Sequence, residues 1–214
     1  MGAGLTLVVV AAVAFLFLGA TEKAYSCSSL MTPAPAASVG PNGSPQLGQA
    51  QPDMGRTHLN VGTTQAYVSC PPASGNHYNA TNQGPIPPKY YGPDDATTLP
   101  QGWIHNLEHG ALVVLYSCKD GCPDASTLQR LKDFATVGFP DSPVCKIPAG
   151  EIGPVVARFD DMSTKYAALV WDRVLLQDTL DTSKILAFFA AEGEQLNPEV
   201  PPQCVKPSAS PGAS

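Results

Sequence analysis

The sequence predicts an α+β domain: a small mixed or antiparallel sheet, two helices packed on it and a long proline-rich ordered loop, preceded by an N-terminal hydrophobic helix. Three observations predict it. Short apolar, β-branched runs at 111–116 (ALVVLY), 154–159 (PVVARF) and 165–176 (KYAALVWDRVLL) read as strands. Two segments, 124–136 and one beginning at 181, place apolar residues at helical spacing behind an acidic cap. Between 54 and 104, breakers recur at Pro71-Pro72, Gly75, Gly84-Pro85, Pro87-Pro88, Gly92-Pro93 and Pro100, which argues against a central strand or a long helix there.

From the N-terminus, residues 3–20 (AGLTLVVVAAVAFLFLGA) run for eighteen residues without a charge, with Thr6 as the only hydroxyl. That length lies between a signal-peptide core and a spanning helix, which needs ~20 apolar residues. Ala24-Tyr25-Ser26 offers small residues where a signal peptidase reads, so residues 1–26 read as a membrane anchor or as a signal cleaved before Cys27. A lipid anchor on Cys27 fits less well, because Ala24 stands where a lipobox carries Leu. Each alternative puts the remainder outside the cytoplasm: an uncleaved segment makes the membrane a partner through the N-terminal helix, and a cleaved one leaves the protein secreted.

Residues 27–53 are rich in Pro, Ala, Ser, Gly and Gln and read as a disordered linker that buries too little apolar surface to order itself. The tail 205–214 has the same composition. The domain is therefore 54–204, and about 150 residues suffice for one core. Within it, Tyr67, Tyr78, Tyr90, Tyr91 and Trp103 need burial, so the proline-rich segment must pack as an ordered loop. In 124–136, Leu128, Leu131, Phe134 and Ala135 share one face behind Asp124. After the strand at 154–159, Asp160-Asp161 makes a turn, and 165–176 is expected as one strand. Asp181-Thr182-Ser183 then caps a helix with Ile185, Leu186, Phe188 and Phe189 inward. Trp103 and Trp171 read as core anchors.

Net charge is −6 with only 12 Lys and Arg, which offers no basic stripe for nucleic acid. Six cysteines (27, 70, 118, 122, 145 and 204) fit an oxidising compartment and structural disulfides. Five fall in the domain, so one is free or pairs with Cys27. Connectivity does not follow from sequence; the pairing expected here is Cys122 with Cys145. The Cys118-to-Cys122 spacing is not the two-residue gap of a thioredoxin-like redox motif.

All four histidines, His58, His77, His105 and His109, lie in the middle of the chain. Three segments carry them: Gly55-Arg56-Thr57-His58, Pro71-Pro72-Ala73-Ser74-Gly75-Asn76-His77 and His105-Asn106-Leu107-Glu108-His109-Gly110, the last running into 111–116. With Tyr166-Ala167-Ala168-Leu169-Val170-Trp171 and Asn197-Pro198-Glu199 they resemble the bacterial family called domain of unknown function 3105, over roughly residues 55–200. Cys70, Cys118, Cys122 and Cys145 depart from that family's pattern. The resemblance implies a fold unit and leaves the activity open.

Imidazole is the commonest metal ligand among side chains. On a strand His105 and His109 would lie ~13 Å apart, too far for one ion. On a helical turn their Cβ atoms would be ~6 Å apart, and Gly110 is placed to end such a turn. His77 and His58 then supply further ligands for zinc or copper, with Glu108 orienting an imidazole. Two alternatives stand beside this reading. His105-x-x-Glu108-His109 satisfies the H-x-x-E-H pattern of a zinc hydrolase with Glu108 as general base and Glu192 or Glu194 as a distal ligand, although the strand at 111 leaves little room for a long helix. Or the histidines only hydrogen-bond the proline-rich loop in a non-catalytic interaction module. Ser74 lacks a nucleophile elbow, and Asp94-Asp95 and Asp160-Asp161 read as turns.

Overall fold

The computed structural model describes residues 23–34, 47–137, 139–149 and 153–199; the expected N-terminal helix and the tail lie outside them. At its centre is a five-stranded mixed sheet of order β2-β9-β8-β6-β7. Its strands are β2 (Gln49–Ala50), β6 (Val113–Tyr116), β7 (Val155–Arg158), β8 (Tyr166–Val170) and β9 (Arg173–Gln177). Strand β6 pairs parallel with β7 and antiparallel with β8, while β8 and β9 form an antiparallel hairpin. The mixed sheet and the strands at 111–116 and 154–159 are as the sequence predicts. The single strand expected over 165–176 is instead this hairpin, turned at Trp171-Asp172, where Asp172 takes φ 57°. An Asp tolerates left-handed backbone at a tight turn, which the continuous apolar run on either side conceals.

Both faces of the sheet are covered, so its central strands β6 and β8 carry continuous apolar runs rather than an alternating pattern. On one face Val113, Leu115, Val155, Ala157 and Leu169 pack against Trp103, Ile104, Leu107 and Trp171. On the other, Val114, Val156, Ala168 and Leu175 meet Leu131, Phe134, Ile185, Phe188 and Phe189. Three helices supply these layers: α1 (Pro100–Glu108), α2 (Ala125–Thr136) and α3 (Thr182–Glu192). The last two begin as expected, with Asp124 accepting from the Thr127 N–H and Asp181 from the Lys184 N–H.

Helix α1 is an addition to the two helices expected. It starts on Pro100, whose fixed φ suits the first helical position and whose missing N–H would have had no partner there. The proline-rich segment is also more regular than its composition implies. It holds β3 (His58–Leu59), β4 (Gln65–Cys70) and β5 (His77–Tyr78), because its prolines cluster beyond Cys70 and leave 58–70 free to pair.

The linker reading of 27–53 needs correction at both ends. Residues Tyr25–Leu30 form β1, which pairs parallel with β4, and Gln49–Ala50 pair with β9. What composition hid is a covalent anchor: Cys27 is bonded to Cys70. The second disulfide joins Cys118 to Cys122, which overturns the expected Cys122–Cys145 pair; Cys145 is disulfide-bonded too. The chain between β6 and α2 turns back on itself, bringing the Cys118 and Cys122 Cα atoms within 3.9 Å across a separation of four residues.

Candidate metal centre

The site is built where three short elements converge. Strands β3 and β5 pair in parallel register with His58 opposite His77, and registered residues of a parallel pair project to the same face. Helix α1 packs on β5 and presents its last turn to that face. There His105 and Glu108 lie three apart and His105 and His109 four apart, the spacings that share one side of a helix. The turn ends at Gly110 with φ 85°, in the left-handed region. A Cβ at Gly110 would stand 2.9 Å from Glu194 Cγ, so glycine is required there by space as well as by backbone. Sequence spacing anticipated this turn and its glycine; it did not anticipate that the helix extends upstream to Pro100.

The three rings of His58, His77 and His105 surround the Glu108 carboxylate. Their ligand atoms and a Glu108 oxygen all lie within 4.8 Å of one another. His77 Nε2 is 3.0 Å and His58 Nε2 is 3.5 Å from Glu108 Oε2. Ring centroids are 5.1 Å apart for His58–His77 and 4.9 Å for His77–His105. His77 is fully buried, His105 and Glu108 nearly so, and His58 closes the site at the surface with 44% of its side chain exposed.

Outer hydrogen bonds orient the rings. His77 Nδ1 donates to the Gly75 carbonyl at 2.8 Å and His105 Nδ1 to the Tyr78 carbonyl at 2.7 Å. Each bond leaves Nε2 facing the other donors, the arrangement that ligating histidines show. Asn79 sits 3.1 Å from His58 Nδ1. Burial holds the His105 imidazole below its ordinary pKa, against the Tyr78 carbonyl, which favours the proton. Its Nε2 lone pair is therefore kept available at neutral pH.

His109 stands apart from this group. Its ring stacks on His105 at 4.8 Å, but its Nδ1 is 3.1 Å from Glu199 Oε2 and both side chains are 46% exposed. The four-histidine ligand set expected from sequence is thus revised: His58, His77 and His105 converge with Glu108, while His109 joins a second group of Glu108 and Glu199. Glu108 does more than orient an imidazole, since its own oxygen stands among the donor atoms. Glu199 was missed as a site residue, although it closes the Asn197-Pro198-Glu199 segment quoted for the family resemblance. Neither late carboxylate expected for a hydrolase arrives: Glu192 pairs with Arg173 at 3.3 Å, and Glu194 accepts from the Val144 and Cys145 amides.

The comparison with protein families matches residues 58–206 to the family described as "Protein of unknown function (DUF3105)". That span begins at His58 and contains every residue of both groups, while β1 and β2 precede it. No curated protein and no solved structure matches the chain.

Proposed function

The chain belongs to the DUF3105 family, and we propose that it is an extracytoplasmic protein that binds a transition metal ion, zinc or copper, through His58, His77, His105 and Glu108. One observation carries this reading. His77 faces two acceptors, the Gly75 carbonyl and Glu108 Oε2, and a neutral imidazole has one N–H to give. With Nδ1 committed to Gly75, Nε2 stands 3.0 Å from a carboxylate oxygen, a contact that a second ring proton or a cation shared by the two groups makes favourable, and the cation also serves the His58 and His105 rings gathered at the same carboxylate. Two donors bonded to one zinc at ~2.0–2.1 Å lie about 3 to 3.5 Å apart at angles of about 90–109°. The 3.0 and 3.5 Å spacings around Glu108 fit that edge length. The last turn of α1 adds the negative end of the helix dipole, which favours a cation there.

Three imidazoles and one carboxylate suit zinc or copper better than calcium or magnesium, which prefer all-oxygen shells. The Cys27–Cys70 and Cys118–Cys122 disulfides fit an oxidising compartment. Strand β1 begins at Tyr25, whose hydroxyl donates to Asp161 at 2.7 Å, so cleavage before Cys27 would cut into an ordered strand. This supports an N-terminal segment retained as a membrane tether. The zinc-hydrolase reading is disfavoured because Glu108, its general base, is engaged by two imidazoles. The histidines do pin loops, through Gly75 and Tyr78, but only with Nδ1, which leaves the metal reading intact.

The test is elemental analysis and competition titration with a chromophoric chelator on the full chain in detergent. The wild type is expected to hold stoichiometric zinc or copper. Glu108→Gln, which keeps the shape and removes the charge, is expected to weaken binding by at least about 10–100-fold, the loss seen when even an outer-sphere partner is removed. Absence of any stoichiometric ion in the wild type would sink the proposal. Retention of the ion in Glu108→Gln together with loss of a hydrolytic turnover would favour the hydrolase instead.

A further inference from the structure

Two donor groups meet at Glu108: the buried one already described, and a second formed by Glu108, His109 and Glu199. The second group has the same metrics as the first. His109 Nδ1 and Glu199 Oε2 are 3.1 Å apart, and all three donors lie within 4.8 Å of one another. Adjacent ligands of one ion have this separation. Its surroundings differ. The first group presents four protein donors, three of them buried, while the second presents three, two of them half exposed. Closed four-ligand sets hold structural ions, and three-ligand sets keep a position for water or an exchangeable ligand. Beside the second group opens a cleft of about 280 Å³ lined by His109, Asn106, Asn82, Ile86 and Pro87.

We infer that the protein carries a two-ion centre in which Glu108 bridges a closed ion on His58, His77 and His105 and an open ion on His109 and Glu199. The inference rests on the metal-binding reading above and goes beyond it. A carboxylate has two oxygens and four lone-pair directions, enough to serve one ion on each side. The closed ion fixes the last turn of α1, and the open ion takes oxygen-donor ligands from the cleft.

The experiment is equilibrium dialysis of the chelator-treated full chain in detergent against Zn²⁺, with metal counted per chain, and the same with Cu²⁺ followed by electron paramagnetic resonance. Expected are two ions per chain in the wild type and one in Glu199→Gln and in His109→Ala, with the coupled two-copper signal lost in both variants. Glu199 is half exposed, so Glu199→Gln leaves the fold intact. One ion in the wild type, unchanged in Glu199→Gln, overturns the second ion and leaves the first. Two ions that persist in Glu199→Gln place the second ion elsewhere and also overturn it. No ion in the wild type removes the metal-binding reading itself, a distinct outcome.

Discussion

His105 is the residue whose chemistry depends most on where it is buried. Because desolvation lowers its pKa in the folded chain, the unfolded chain takes up a proton first as pH falls below the ordinary histidine value of ~6.5. Stability is therefore full above that value and is lost as pH descends toward the folded pKa. Thermal unfolding in the presence of chelator should show a melting temperature that falls as pH drops below about 6.5. The fall should be shallower in His105→Gln; equal slopes in the two proteins would count against a buried neutral imidazole. At this scale the sequence was informative about identity and silent about partners. His58, His77 and His105 stood out by their rarity and by the family segments around them. That Glu108 would meet His77 and His58, and that His109 would leave them for Glu199, depended on contacts between residues far apart in the chain, which local spacing does not encode.

Among the elements, the end of α1 governs the site. Gly110 lets the chain leave the helix in the left-handed region and pass against Glu194 and Asn197. Gly110→Ala must adopt a conformation costing roughly 1–2 kcal/mol for an L-residue and must also displace Glu194 Cγ. Urea unfolding should therefore show a loss of at least about 1 kcal/mol, and zinc affinity should fall with it because His105, Glu108 and His109 sit on the displaced turn. Unchanged affinity would mean that the turn is positioned by its packing on β5 alone. Elements with strong periodicity, such as α2, α3 and the strand at 113–116, were legible because their apolar residues fall on one side or on both. Helix α1 was not, because all nine of its residues are buried and its polar members, Gln101, His105, Asn106 and Glu108, break the pattern that amphipathicity would show. The β8–β9 hairpin was obscured for a similar reason: Trp171, at its turn, is as apolar as the strands it joins.

For the whole molecule, the Cys27–Cys70 and Cys118–Cys122 disulfides differ by an order of magnitude in the loop they close. In the chain-entropy account, a 43-residue separation for Cys27–Cys70 corresponds to about 4 kcal/mol and a 4-residue separation for Cys118–Cys122 to about 2 kcal/mol. Denaturant unfolding of the paired Cys→Ser variants should rank them in that order; the reverse order would show that the short loop stabilises through its native contacts rather than through the unfolded chain. The larger bridge also alters how the N-terminus relates to the domain. Strand β1 and its bond at Cys27 lie only a few residues beyond Lys23, whereas residues 35–46 come later in the chain. A pull applied at the N-terminal end is thus carried as shear along β1 and β4 and passes into the core through sulfur. The stretch between β1 and β2 lies outside that load path, so its length does not set the distance at which the domain is held.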